Sequence, residues 1–455
     1  MNRLCRAVCC ALATISLFAC ALTTTEQPNM LNLQLPTPTL APPATPTPQS
    51  DVQVGRPLDR QVWALRDEVQ NDRLMHSLSR LVGFGTRHVL SPVDRANYGI
   101  GAARDWLFQA FEAIRVAHPN KPIQVWTQPV WYTWQGQQVR AENVIAVLQG
   151  SDVGAGVYVV GAHYDSISTP PTDGNAYAPG ANDNASGVAA LLEIAQIMAG
   201  QPQRATLIFV AFTAEETGRQ GSLAFVENYL QAHTPPIAIR GMLNLDMLGS
   251  MRDANGRTDS RTLRLFSAAP NDSPSRQLAR QVALIISTYT DEVLPVLQSS
   301  EDRVGRWGDQ MSFSAAGYAA VRLIQSLEDH TRQHNGRDSL DAIALDYLMR
   351  TTRVALTVVA VLSGGLAPPA AESLSLTAIS NGHQLAWASV PNAAAYVVAL
   401  RQTASLGYDM LLTVNSALLS WDQFMRYEAI SIAAVDANGR FGGFSPEVKV
   451  RDLLR

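Results

Sequence analysis

Beyond Cys20 the 455-residue chain contains no cysteine; its four, Cys5, Cys9, Cys10 and Cys20, fall in the first twenty residues. The folded part therefore has no disulfide and no thiolate ligand, and any metal site in it must be built from His, Asp and Glu. An excess of positive charge is also lacking. The net charge is -4 and charged residues make up 16%, which provides no basic surface for a polyanion, so nucleic acid is not an expected partner. No segment after the first nineteen residues is long and apolar enough to cross a bilayer, and no internal repeat is present. What remains is 47% apolar, enough for a sizeable core, on a length suited to one large domain and a smaller one.

The first twenty residues read as an export signal. Arg3 and Arg6 supply a positive start, and Ala7 to Ala19 form an apolar run of signal-peptide length. The run ends in Leu17-Phe18-Ala19-Cys20, which resembles a bacterial lipoprotein cleavage box, although Phe18 departs from the small residue usual there. Residues 1–20 are thus expected to be a signal peptide of lipoprotein type with Cys20 as the lipidated residue. The protein is expected to be exported and either lipid-anchored at the cell surface or secreted, with membrane contact only through that lipid. Residues 21–60 include LPTPTLAPPATPTPQS, a stretch dense in Pro and Thr and nearly uncharged; such a segment cannot bury a core, and 21–60 is expected to be a disordered linker.

From about Val62 the pattern is globular. A helix is predicted over 97–115, with Ile100, Trp106, Leu107, Phe108, Phe111 and Ile114 mostly on one face. Apolar runs at 142–150, 156–166, 205–212, 241–249 and 317–325 read as strands, a helix is expected after Asp183, and a long helix is expected at roughly 340–363. Strands apolar on both faces and alternating with helices predict an α/β fold: a mostly parallel central sheet flanked by helices, over 61–364. Such sheets build their sites at the carboxyl ends of strands. After Gly364-Gly365-Leu366-Ala367-Pro368-Pro369 the composition changes, and 370–455 reads as short strands separated by turns. That segment resembles a fibronectin type III-like domain, a small all-β sandwich at the C-terminus.

The polar residues that interrupt the apolar runs are the chemical candidates. His163 ends one run and is followed by Asp165; Asp183 lies in PGANDNASG; Glu215 and Glu216 follow LIFVAFTA; Asp246 lies inside MLNLDMLG; His334 lies in EDHTRQHNGRDSL. Singly, each has a plain explanation: Asp183 would cap a helix, and a Glu pair is commonly a solvated face. Asp246 is harder to explain, because an unpaired carboxylate among Met and Leu is costly to bury. Together, two imidazoles and three carboxylates suit two divalent first-row metals, with one carboxylate shared and one Glu left to act as a base.

The stretches NVIAVLQG, GAHYDS, PGANDNASGVAALLEIA, FVAFTAEETGRQGS, NLDMLG and the closing H-N-G-R-D-S-L resemble, in order and spacing, the co-catalytic zinc aminopeptidases of the bacterial leucyl-aminopeptidase type, relatives of glutamate carboxypeptidase. The resemblance covers roughly residues 70–363 and implies a zinc-exopeptidase-like fold with two Zn²⁺ per chain. It implies that His163 and Asp246 hold one zinc, that Glu216 and His334 hold the other, and that Asp183 bridges them. Glu215 would be the general base and Asp165 would orient the His163 ring. It also implies a cis peptide after the bridging residue, at Asp183-Asn184. His334 is preferred to His330 because His334 precedes Asp338-Ser339 in the family's spacing. Gln310, in GDQMSF, stands where the family commonly has His, which puts substrate contacts in doubt rather than metal binding. Tyr318 is a candidate donor to an oxyanion.

The implied activity is hydrolysis of the N-terminal peptide bond of peptide or protein substrates. A carboxypeptidase or a glutaminyl-cyclase-like enzyme on the same fold is an alternative, as is a non-catalytic surface binding protein. The preferred N-terminal residue and the oligomeric state have no signature in the sequence.

Overall fold

Strands buried on both faces occupy the middle of the chain's principal sheet, which is where apolar runs without alternation belong. The computed structural model describes residues 59–454; the expected signal peptide and all but the last two residues of the expected linker lie outside the described residues. Those last two, Asp59 and Arg60, belong to the folded body. Asp59 is buried, accepts the Val62 N–H at 3.1 Å as the cap of the first helix, and pairs with Arg440 at 2.6 Å. This corrects the linker boundary, because a buried, doubly used carboxylate fixes the chain earlier than composition suggested.

The strands are β1 (Ile123–Trp134), β2 (Gln137–Leu148), β3 (Val157–His163), β4 (Thr206–Phe212), β5 (Gly241–Leu245), β6 (Thr262–Ser267), β7 (Leu294–Leu297) and β8 (Ala320–Gln325). Their order in the sheet is β1-β2-β4-β3-β5-β8-β6-β7. The central four, β4-β3-β5-β8, are parallel. The flanks depart from the parallel expectation: the β1–β2 hairpin joins β4 antiparallel, and β6 runs against β8. Pro129 sits in β1, at the sheet edge, where a missing N–H costs no ladder bond.

The helices are α1 (Arg60–Leu65), α2 (Asn71–Gly83), α3 (Gly99–Ala117), α4 (Ser186–Ala199), α5 (Gln220–Phe225), α6 (Pro274–Tyr289), α7 (Gln310–Ala315) and α8 (Leu345–Gly364). Val144, Val160, Phe209 and Leu243 point to one face, into a large core with α2, α3, α4, α6 and α8. Their strand neighbours Ile145, Val159, Ile208 and Met242 point to the other, where Phe212, Phe225 and Phe313 close a thinner layer with α5 and α7. This two-residue alternation within runs that are apolar throughout is what a doubly covered sheet requires. Gly187, in the first turn of α4, is set by close approach: a Cβ there would lie 2.2 Å from the Leu245 carbonyl oxygen. Among the described residues no helix is long and apolar enough to cross a membrane.

The C-terminal segment is an all-β sandwich of a three-stranded sheet (Ser375–Ile379, Gly382–Ala386, Leu418–Trp421) and a four-stranded one (Ala395–Arg401, Met410–Val414, Ala429–Val435, Val448–Lys449). Its two inner strands, Ala395–Arg401 and Ala429–Val435, are buried along their whole length. Tyr396, Val398, Ile430 and Ile432 fill the sandwich's own core, whereas Ala395, Val397, Ala433 and Val435 join the core of the larger domain together with Phe441 and Phe444. The sandwich is thus packed onto the α/β body. Glu447 ties the two, accepting from Arg280 of α6 at 2.8 Å and from Arg401 at 2.9 Å, with all three side chains nearly fully buried. Removing one member of such a cluster leaves uncompensated buried charge. Glu447→Ala is expected to lower unfolding stability by about 3–5 kcal/mol, read as a fall in the urea midpoint at unchanged slope; an unchanged midpoint would refute the role of this cluster.

Candidate active site

The carboxyl ends of the parallel strands deliver the candidate side chains to one pocket. His163 is the last residue of β3, Asp246 directly follows β5, and Glu215 and Glu216 follow β4 after two residues. Asp183 arrives on the turn before α4, where Asp183 and Asn184 depart from helical φ/ψ and the peptide between them is cis, as the family resemblance implied. His334 comes from the loop after β8. A cavity of about 280 Å³ opens on these residues and on Arg219, Arg303, Arg306, Trp307 and Arg322.

Three triads of potential ligands meet here; one is His163, Glu215 and Glu216, and the other two share one residue. His163 Nε2 lies 3.3 Å from Asp183 Oδ1 and 3.6 Å from Asp246 Oδ1. His334 Nε2 lies 3.4 Å from Asp183 Oδ2 and 3.1 Å from Glu216 Oε2. Asp183 therefore turns one oxygen to each of these two, and within each triad the ligand atoms lie within 4.8 Å of one another. Asp246 Oδ1 and Glu216 Oε1, one in each triad, are buried without a hydrogen-bond partner. Buried anionic oxygens left unpaired are what a cation corrects. A set of nitrogen and oxygen donors without sulfur suits a first-row divalent metal, so the residues present fit such a group.

Neighbouring side chains build this geometry. Asp338 accepts the N–H groups of Asn182 and Asp183 at 3.0 and 2.9 Å, which connects the His334 loop to the Asp183 turn. Asn184 donates to the Leu245 carbonyl at 2.9 Å and accepts the Met247 N–H at 3.0 Å, so it grips the backbone on both sides of Asp246. Asn182 and Ser186 accept the N–H groups of Gly249 and Leu248. The polar letters of ANDNAS are therefore a clamp on NLDMLG. Arg87, fully buried, donates to the carbonyls of Tyr164, Pro179 and Gly180 and holds the loops beneath. Ala214, Met247 and His334 all take positive φ (57°, 63° and 54°), a conformation that non-glycine residues adopt only where the surroundings impose it.

The charges explain the protonation states. Burial alone would raise Asp183, but hydrogen bonds from His163 and His334 hold it well below the usual carboxylate range. Burial alone would lower His163, yet Glu215, Asp246, Asp165 and Asp183 push it well above its ordinary value. Glu216, with Asp183, drives His334 up to about 11 against its burial. Glu215 is raised well above the ordinary Glu value, first by burial and then by the carboxylates of Glu216, Asp309 and Asp246.

Not every sequence expectation is placed as expected. The Asp165 carboxylate lies 3.6 Å from His163 Nδ1, beyond its own backbone carbonyl at 3.3 Å, and its two oxygens accept the N–H groups of Glu215 and Glu216 at 3.1 Å each. Its main contacts position the Glu pair; the ring is met chiefly by the Asp165 main chain. His330 is exposed, lies 3.3 Å from the Gln333 side-chain oxygen, and is outside the triads. Tyr318 lines a different groove, between the α/β body and the sandwich, so it is no oxyanion donor here. Gln310 is buried, accepts from Asn244 at 3.0 Å and does not line the cavity. Several neighbours had no signal in the sequence. Arg322 pairs with Asp246 Oδ2 at 2.9 Å and with Asp302 at 3.1 Å. Asp309 is pushed up to about 7 by burial, with Asp165 and Asp246 nearby.

Comparison with known proteins places these features in a family. A model described as "Peptidase family M28" matches residues 143–359. A "Probable zinc metalloprotease" of Pyrenophora tritici-repentis is 31% identical over 72% of this chain and 82% of its own length. One of Leptosphaeria maculans is 32% identical over 78% of this chain and 89% of its own. The solved structure of the Legionella pneumophila LapA aminopeptidase shares the fold with a TM-score of 0.54 at 21% identity, covering 69% of this chain and 76% of LapA.

The geometry predicts how metal is held. Asp183→Ala is expected to remove metal from both triads, read as metal content after dialysis and as loss of the melting-temperature drop that a chelator causes in the parent protein; full metal occupancy would exclude the shared role. With the metal stripped, His163 and His334 carry protons at neutral pH because both are raised, His334 to about 11. Metal entry must displace those protons. Apparent affinity is therefore expected to rise with pH through neutrality, with proton release on binding. Calorimetry in buffers of different ionisation enthalpy measures that release, and a pH-independent affinity would contradict it.

Proposed function

The chain belongs to peptidase family M28, the zinc metallopeptidases, and from that premise we propose that it is an exported aminopeptidase that holds two Zn²⁺ and uses Glu215 as its general base. The observation that carries the reading is the division of Asp183 between the two triads, with Glu215 beside both and required by neither. His163 and Asp246 would hold one ion, Glu216 and His334 the other, with Asp183 common to both. Zinc bound there supplies a Lewis acid and acidifies a water nucleophile.

The rest is performed by the chain's own groups. The Glu215 carboxylate takes the proton from the attacking water and returns it to the amine nitrogen of the departing peptide. Burial and the surrounding carboxylates favour protonated Glu215, which suits the proton-returning half of that cycle. Asp165 fixes the turn that carries Glu215 by accepting its N–H. The N-terminal amine of a peptide can reach the Glu216 carboxylate on the cavity wall. A cavity of about 280 Å³ lies near the small end of ligand pockets, which supports trimming a single residue over cleavage within a long chain. The fold shared with LapA, described as an aminopeptidase, accords with this. Export is supported by the signal-like residues 1–20, with either a lipid at Cys20 or free secretion.

Glu215→Gln is expected to retain two zinc ions per chain and to lose turnover of aminoacyl anilides by roughly a hundred-fold or more, the scale of general-base catalysis. N-blocked peptides are expected to resist the parent enzyme. Retained turnover in Glu215→Gln would remove it as the base, a single zinc per chain would remove the two-metal scheme, and cleavage of blocked peptides would remove the aminopeptidase assignment.

A further inference from the structure

Four arginines line the catalytic cavity, and one of them, Arg219, has no carboxylate partner among the described residues. Arg322 is held by Asp246 and Asp302, and Arg303 by Asp302 and Glu328. Arg219 differs. Among the described residues it makes no ion pair, and its Nε is buried with no hydrogen-bond partner. It is held at φ 60° as the residue preceding α5, a backbone conformation unfavourable for a side chain of its type. Its guanidinium lies over the ring of Trp307, 5.7 Å from the centroid. Arg306 bonds the neutral amide of Gln333, and the one carboxylate near it is Asp183, at 3.6 Å.

We propose that Arg219, seconded by Arg306, forms an anion-recognising wall that selects substrates presenting a carboxylate beside the scissile bond. This inference rests on the peptidase reading above. With metal held by the two triads, the Asp183 oxygens would serve the cations and would no longer balance Arg306. The pocket would then hold two unmatched guanidinium groups, and a negatively charged substrate group would remove that imbalance. A guanidinium recognises a carboxylate with two parallel hydrogen bonds, and Arg219 brings an uncommitted guanidinium to the cavity wall. Trp307, 53% exposed, offers an apolar flank to the methylenes that carry such a carboxylate. Two sources have this chemistry: the side chain of an N-terminal Glu or Asp, and the free C-terminal carboxylate of a dipeptide.

The test compares matched pairs on the zinc-loaded full chain. Glutamyl against glutaminyl anilide probes the side-chain source; Leu-Gly against Leu-Gly amide probes the C-terminal source. In at least one pair kcat/KM is expected to favour the carboxylate by about ten-fold or more, the scale of a charge-assisted hydrogen bond. The ratio is expected to fall towards one in Arg219→Gln, with zinc content and melting temperature retained, and to weaken with added salt. Arg306→Gln serves as the second variant should Arg219→Gln fail to fold. Ratios near one in both pairs, with the neutral substrates cleaved, would overturn the anion wall and leave the peptidase reading standing. If no substrate is cleaved, the peptidase reading fails, and calorimetric binding of glutamate against glutamine and leucine decides the wall alone. Tighter glutamate binding that Arg219→Gln abolishes supports it, and equal binding overturns it.

Discussion

Crowding of negative charge around one cavity is the constraint on which the rest of this structure depends. Asp183, Asp246, Glu215 and Glu216 meet around His163 and His334, and most of these side chains are withdrawn from solvent. Like charges that close cannot all ionise without a counter-charge. Protons on the two imidazoles, the Arg322 guanidinium and divalent metal are the available answers, and they compete for the same oxygens. Asp183 is the pivot because each of its oxygens serves a different triad.

Such a pivot has to be held rigidly, and the holding is done by backbone amides more than by other charges. Asp338 receives the N–H groups of Asn182 and Asp183, Asp165 those of Glu215 and Glu216, and Asn143 that of Thr213 just upstream. Buried carboxylates that accept two N–H groups orient a turn without adding a further ligand. The positive φ values at Ala214 and Met247, next to Glu215 and Asp246, show the cost of bringing those side chains inward at the strand ends. That cost is tolerated because the parallel strands beneath are buried on both sides and leave the turns no alternative path.

Much of this could be read from the chain, for identifiable reasons. β3, β4, β5 and β8 are apolar on both faces, so they stand out as runs, and a polar residue ending a run marks the carboxyl end of a strand. His163 and Asp246 were visible for that reason, and α3 and α8 for their helical periodicity. β1 was not anticipated, since Pro129 and its polar letters conceal an edge strand; β6, β7 and α6 were hidden by mixed composition, with Arg264, Arg276 and Arg280 buried among apolar residues. Arg87 and Arg322 act through partners far away in sequence, and pairing at long range leaves no periodicity to read.

The C-terminal sandwich bears on the site through packing. Its inner strands are covered by the sandwich core on one face and by the α/β core on the other, so neither part can be exposed without stripping the other's apolar surface. Helix α6 is the shared wall. It meets the sandwich through Arg280 and through the ring contact of Tyr289 with Phe441, at 5.2 Å between centroids. It meets β8 through Ser275, whose hydroxyl accepts the Ala320 N–H at 3.1 Å. β8 carries Arg322, which holds Asp246 Oδ2 while Oδ1 faces His163. A continuous path of buried contacts therefore runs from the sandwich, through α6 and β8, to one oxygen of a metal ligand. Close-packed interiors transmit strain, so the sandwich adjoins the packing that supports Arg322 and, through it, Asp246.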